Sequence, residues 1–143
     1  MNEKNNIKLI FKSLSQNEAF ARGVVGCFAI QLNPSVAELS DIKTAVSEAV
    51  TNSIVHAYPK KIGEIILEAF IDGGTLHINI IDKGIGIEDV SKALQPFYST
   101  KLEEERSGMG FTIMQSFMDE VRVESEKGKG TKVYMSKTIA ADK

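Results

Sequence analysis

Ser47-Glu48-Ala49-Val50-Thr51-Asn52-Ser53-Ile54-Val55-His56-Ala57 carries Glu48, Asn52 and His56 at i, i+4 and i+8. On an α-helix that spacing stacks all three on one stripe. Stepping about 100° per residue from Val46 puts Leu39, Ile42, Val50, Ser53 and Ala57 within roughly 40° of it, whereas Glu48 and Asn52 fall about 160° and 120° away. The spacing predicts an amphipathic helix whose carboxylate and amide look away from the core. A solvated helix face would explain a lone pair of this kind. Here the pair has company downstream, in Asp82-Lys83-Gly84-Ile85-Gly86 and Gly108-Met109-Gly110.

With 143 residues, 43% of them apolar, the chain fits one domain, 1–143, large enough to bury about two-thirds of its unfolded surface. A net charge of −2 gives no electrostatic footprint for direct nucleic-acid binding. The single cysteine, Cys27, forms neither an internal disulfide nor a cysteine-based zinc site, and its apolar neighbours predict a packed thiol. The first six residues lack an apolar signal region, and no apolar run approaches the ~20 residues of a membrane span. The expectation is a cytoplasmic protein.

Outward from the central helix, Ile7, Leu9 and Phe11 alternate with Lys8, Ile10 and Lys12, which predicts a strand with one buried face. Ser15 with Glu18 has the form of a capping box and opens a helix to about residue 32, with Phe20, Val24, Cys27 and Phe28 at helical spacing. Gly23 and Gly26 inside it suggest close approach by another element. Asn33-Pro34 breaks the chain, and Ser35 with Glu38 forms a second capping box that starts the Glu48 helix. After a loop between Pro59 and Gly63, the β-formers of 63–71, the turn Asp72-Gly73-Gly74-Thr75 and the run 76–81 predict a hairpin. A short helix is expected over 88–94. The charged, unpatterned stretch 95–107 is expected to be a lid. Phe111, Ile113, Met114, Phe117 and Met118 then give a helix with an apolar face, and Val121 to Ser136 gives a second hairpin turned by Lys127-Gly128-Lys129-Gly130.

Each of the three G-x-G units, Gly84/Gly86, Gly108/Gly110 and Gly128/Gly130, is weak evidence alone. The chain lacks G-x-G-x-x-G after a strand, a P-loop, and the H-R-D and D-F-G boxes, which excludes Rossmann, P-loop and eukaryotic-type kinase readings. The combination is more specific. Glu48-x-x-x-Asn52, Asp82-x-Gly84-x-Gly86, Gly108-x-Gly110 and Gly130-Thr131, in that order, resemble the ATP-binding boxes of the family that includes DNA gyrase, the Hsp90 chaperones, histidine kinases and mismatch-repair ATPases. The resemblance spans nearly the whole chain. Within that family, 47–58, 96–101, 106–114 and 117–120 look closest to the serine-kinase anti-sigma factors of sporulating bacteria. Ala57 and Leu102 stand where that group often has glycine and proline.

The resemblance implies a Bergerat-type α/β (α+β) sandwich, with a mixed, mostly antiparallel sheet and helices on one face. It implies ATP and Mg²⁺ as ligands, with Asp82 accepting a hydrogen bond from the adenine amine and Thr131 backing up that contact. Guanine presents an oxygen at that position, so the carboxylate selects adenine. Gly84 and Gly86 either admit the base and sugar or only turn the chain. Gly108 and Gly110, with Ser107 and Met109 beside them, put free helix-start amides at the phosphates. Asn52 is the implied Mg²⁺ ligand and Glu48 the general base. Thr100, Lys101 and Arg106 come from the lid, where the two cations would neutralise charge on the transferring phosphate. His56 receives no catalytic role. The implied activity is serine phosphorylation of an anti-anti-sigma partner by a homodimer that holds sigma factor F, and Arg22 matches the partner-contact arginine. Two rivals share these boxes: a histidine-kinase catalytic domain, for which only His56 and His77 are available, and an ATP-gated binding module that transfers no phosphate.

Overall fold

The computed structural model describes residues 4–86 and 110–139. The expected helix over 88–94, the lid 95–107, and residues Thr100, Lys101, Arg106, Ser107, Gly108 and Met109 lie outside that range.

Among the described residues the elements are β1 (Asn5–Lys12), α1 (Gln16–Ala29), α2 (Val36–Asn52), β2 (Glu64–Asp72), β3 (Thr75–Asp82), α3 (Gly110–Phe117), β4 (Glu120–Glu126) and β5 (Gly130–Thr138). A short 3₁₀ turn, Ile30–Leu32, follows α1, and a π-helical turn, Ser53–Ala57, continues α2. The sheet runs β1-β2-β3-β5-β4, and every described pairing is antiparallel. The α/β sandwich expected from the sequence is present, with no parallel pair among the described strands.

Alternation puts one sheet face in the core. Ile65, Leu67 and Ala69 of β2, Leu76, Ile78 and Ile80 of β3, and Val133 and Met135 of β5 are buried against the helices. Helix α2 lies between α1 and α3 and supplies Ile42, Ala45, Val46, Ala49 and Val50, all fully buried. The expected core stripe is therefore correct, with Leu39 partly buried at its start and Ser53 and Ala57 buried at its end.

The second capping box forms as read. The Glu38 amide donates to Ser35 Oγ at 3.0 Å and the Ser35 amide donates to Glu38 Oε1 at 2.8 Å. Ser35→Ala is expected to cost about 1 kcal/mol, because one helix-start amide loses its acceptor. Urea unfolding that shows no shift of the midpoint would refute this.

The first box does not form. Ser15 is in helical backbone conformation and makes no side-chain cap. Glu18 instead accepts a hydrogen bond from the Ser47 hydroxyl of α2 and pairs with Arg22 at 3.6 Å. The buried face of α1 is also rotated from the one expected. Ala21, Val25, Gly26, Phe28 and Ala29 are inside, whereas Phe20 is 52% exposed and Cys27 is exposed rather than packed. Of the two glycines, Gly26 lies against the Lys43 side chain, while Gly23 faces open space.

Candidate functional site

Asp82 continues the buried alternation of Leu76, Ile78 and Ile80, so its carboxyl points into the helix layer and is only 5% exposed. Ser53 Oγ donates to Oδ2 at 3.0 Å, the Gly84 amide donates to Oδ1 at 3.0 Å, and the Thr131 backbone also donates to the carboxyl. Burial raises the Asp82 pKa above its ordinary value, and these three hydrogen bonds pull the other way. An ionised carboxylate has about four acceptor positions, so about one remains for a ligand donor. The group is a buried, pre-oriented acceptor.

Its setting comes from three elements. Asp82 stands in register with Ile65 on β2 and Thr131 on β5. Thr131 therefore sits beside Asp82 as expected, but it donates through its backbone, and its hydroxyl lies 2.7 Å from Ser125 Oγ. The segment 82–86 is clamped from both sides, since the Ile85 amide donates to the Ala57 carbonyl at 3.1 Å and the Gly128 amide donates to the Ile85 carbonyl at 2.6 Å. A Cβ on Gly84 would overlap the Ala57 carbonyl. One on Gly86, whose φ is +78°, would overlap the Glu126 carbonyl. At both glycines the room given up is filled by protein backbone, so close backbone approach requires glycine there.

Helix α2 places the other polar pair. Glu48 and Asn52 are half-buried and off the core stripe, and Gly110, the first residue of α3, lies against both. A Cβ at Gly110 would stand 3.1 Å from Asn52 Nδ2 and 3.5 Å from Glu48 Oε1. A carboxylate, an amide and a helix start thus meet at one point. The next residue, Ser53, holds Asp82, so two consecutive positions connect the two halves of the site. His56 is on the same segment, but the winding changes to π between Asn52 and His56, which breaks the uniform i, i+4, i+8 stripe. Arg22 lies apart from these residues, in a cleft of about 370 Å³ with Val36, Leu39, Ser40, Lys43 and Thr44.

Two residues of the site are not marked as functional by the sequence pattern. Ser53 reads as part of the core stripe, and a hydroxyl at a core position, which needs a partner, is the signal that marks it. Tyr58 carries no local signal, yet it is buried, and its hydroxyl donates to the Glu64 carbonyl at 2.7 Å and accepts from the Lys83 amide at 2.8 Å. Burial raises its pKa, so the hydroxyl keeps its proton at neutral pH.

The sandwich with its site between α2, β3 and α3 is the architecture of the histidine kinase-like ATPase domain, whose family model matches residues 11–137. The fold is shared with the catalytic domain of the histidine kinase ThkA, with TM-score 0.62, 14% identity and 99% of each chain covered. It is shared also with full-length ShkA in complex with AMPPNP, with TM-score 0.59, 18% identity, and 89% of this chain and 30% of that one covered. Similarity in sequence is much higher to proteins named anti-sigma F factor. The protein of Thermoanaerobacter pseudethanolicus is 59% identical over 143 residues, 100% of both chains. That of Clostridium acetobutylicum is 51% identical over 137 residues, 96% of each, and that of Geobacillus kaustophilus 51% over 141 residues, 98% of this chain and 97% of its own. The chain belongs to the histidine kinase-like ATPase family and, within it, to the anti-sigma F factors. Among the described residues no helix is long and apolar enough to cross a membrane.

Proposed function

We propose that this chain binds sigma factor F and, as an ATP- and Mg²⁺-dependent serine kinase, phosphorylates an anti-anti-sigma partner, working as a homodimer with the whole of 1–143 as one domain. The observation that carries the enzymatic part is the meeting of Glu48 and Asn52 with the start of α3, one residue before Ser53 secures the buried Asp82. The names of the relatives support the sigma-binding part.

The residues suit the ligands. Asp82 has an acceptor position left for an exocyclic amine and is held by donors that fix it before any ligand arrives. Asn52 supplies a neutral oxygen of the kind Mg²⁺ accepts, and among the described residues no cluster of three or more histidine, cysteine or acidic groups competes as a metal site. The ion, when bound, would neutralise phosphate charge. Glu48, one turn before Asn52, would take the proton from the attacking serine hydroxyl. Lys101 and Arg106, together with Thr100, Ser107, Gly108 and Met109, complete the proposed phosphate end, and Arg22 in its cleft is the proposed partner contact.

The test is to mix the purified chain with sigma factor F and its anti-anti-sigma partner and to follow radiolabelled phosphate from ATP. Label on a partner serine, abolished by chelating Mg²⁺, together with co-elution of the sigma factor, is the expected result. Sigma binding that depends on ATP but yields no label would favour the gated binding module instead.

A further inference from the structure

We propose that the Tyr58 hydroxyl is a spacer that ends the β2–β3 ladder and thereby positions the Asp82 loop, an inference that rests on Asp82 being the base-recognition group. Ile65 and Asp82 are the last pair of that ladder, and the next step of the register would oppose Glu64 and Lys83. Instead of bonding to each other, the Lys83 amide and the Glu64 carbonyl are bridged by one oxygen, at 2.8 Å and 2.7 Å. The two strands are held apart by one hydroxyl at the point where the chain leaves β3 for the loop.

Both sides of the spacer are fixed. The Tyr58 ring occupies the space that a side chain at residue 63 would need. Gly63 is tied to the end of β1, its amide donating to Ser13 Oγ and its carbonyl accepting from the Ser13 amide, each at 2.9 Å. On the other side, Tyr58 follows the π turn whose Ser53 and Ala57 already hold Asp82 and Ile85. Ser53, Ala57 and Tyr58 therefore grip the loop at residues 82, 85 and 83. Without the hydroxyl, two part-buried hydrogen bonds are lost, and the Lys83 amide and Glu64 carbonyl either turn to water or close on each other, drawing Lys83 toward β2 and away from that grip. Tyr58 is thus a positioning residue for base recognition.

Tyr58→Phe keeps the ring over Gly63 and removes only the spacer. In the ligand-free variant, amide hydrogen exchange at Lys83 should accelerate by about tenfold or more relative to Ile78, a fully buried β3 residue that reports global opening. Affinity for ATP should fall by about tenfold, and the preference for ATP over GTP should fall with it. A purely structural role would speed Ile78 equally and leave the ATP-to-GTP ratio unchanged, and either result overturns the proposal. Gly63→Ala, whose Cβ displaces the ring, should reproduce the Lys83 effect and serves as the second variant. Should the parent chain bind no adenine nucleotide, the recognition reading fails by itself, while Lys83 exchange still decides whether the spacer exists.

Discussion

Glu48→Gln is expected to bind nucleotide as the parent chain does and to transfer phosphate about 10²–10⁴ times more slowly, equivalent to roughly 3–5 kcal/mol in the barrier. Glutamine nearly preserves the size of the side chain beside Gly110 and Asn52 but cannot take a proton. The side chain is half-buried and off the core stripe. Asn52→Ala provides the contrast, because losing the proposed metal oxygen should reduce Mg²⁺-dependent affinity as well as transfer. Single-turnover incorporation of label into the anti-anti-sigma serine, run beside equilibrium ATP binding on the same preparation, separates the two. Full transfer by Glu48→Gln would remove the general base from the mechanism.

Asp82→Asn should separate affinity from stability in the opposite direction. ATP affinity is expected to drop by about 10²-fold, the scale of a lost hydrogen bond to a charged group. An asparagine can still accept from the Gly84 amide and donate to Ser53 Oγ, so the loop keeps its anchors. The pH dependence follows from the raised Asp82 pKa. Above the ordinary carboxyl value of 3.8 and up to the raised value, the native state holds the proton more often than the unfolded chain does. This group's contribution to parent stability is therefore full below that window and is lost as pH climbs through it. Thermal unfolding near pH 4 and near pH 7 should show the Asn variant gaining on the parent as pH rises. A gap that is flat, or that grows in the parent's favour, would mean that the carboxylate is not a burden at rest.

Much of this molecule was legible in the sequence because the deciding signals are local. Alternation gave the strands, Asp72-Gly73-Gly74-Thr75 gave the first hairpin, and Ser35 with Glu38 gave the start of α2. What escaped was decided by tertiary contacts. The Ser15 and Glu18 pair had the same local form as the working box, yet Glu18 found Ser47 on α2 and an arginine one turn away. The large apolar residues of α1 suggest one face, whereas packing against α2 selects Ala21, Val25, Gly26 and Ala29 and leaves Phe20 and Cys27 outside. In the site, Glu48, Asn52, Gly110, Asp82 and Thr131 could be read from spacing and resemblance. The grip on the loop could not, since Ser53 and Tyr58 reach it through partners 29 and 25 residues away.

The π turn also makes this stretch sensitive to chain length. Such a turn accommodates one residue more than a regular helix would, with Ser53 at its start and Ala57 at its end. Ile54, Val55 and His56 between them act as a ruler. Conservative substitutions leave the measured length unchanged, and because the turn holds one residue in excess, deleting any one of the three would restore α-helical winding and leave Ala57 and Tyr58 within about 30° of their present direction toward Ile85 and Lys83. A surface loop absorbs a residue gained or lost for a fraction of a kcal/mol. Here only the loss is absorbed: one residue more would add about 100° of rotation and turn Ala57 and Tyr58 away from Ile85 and Lys83.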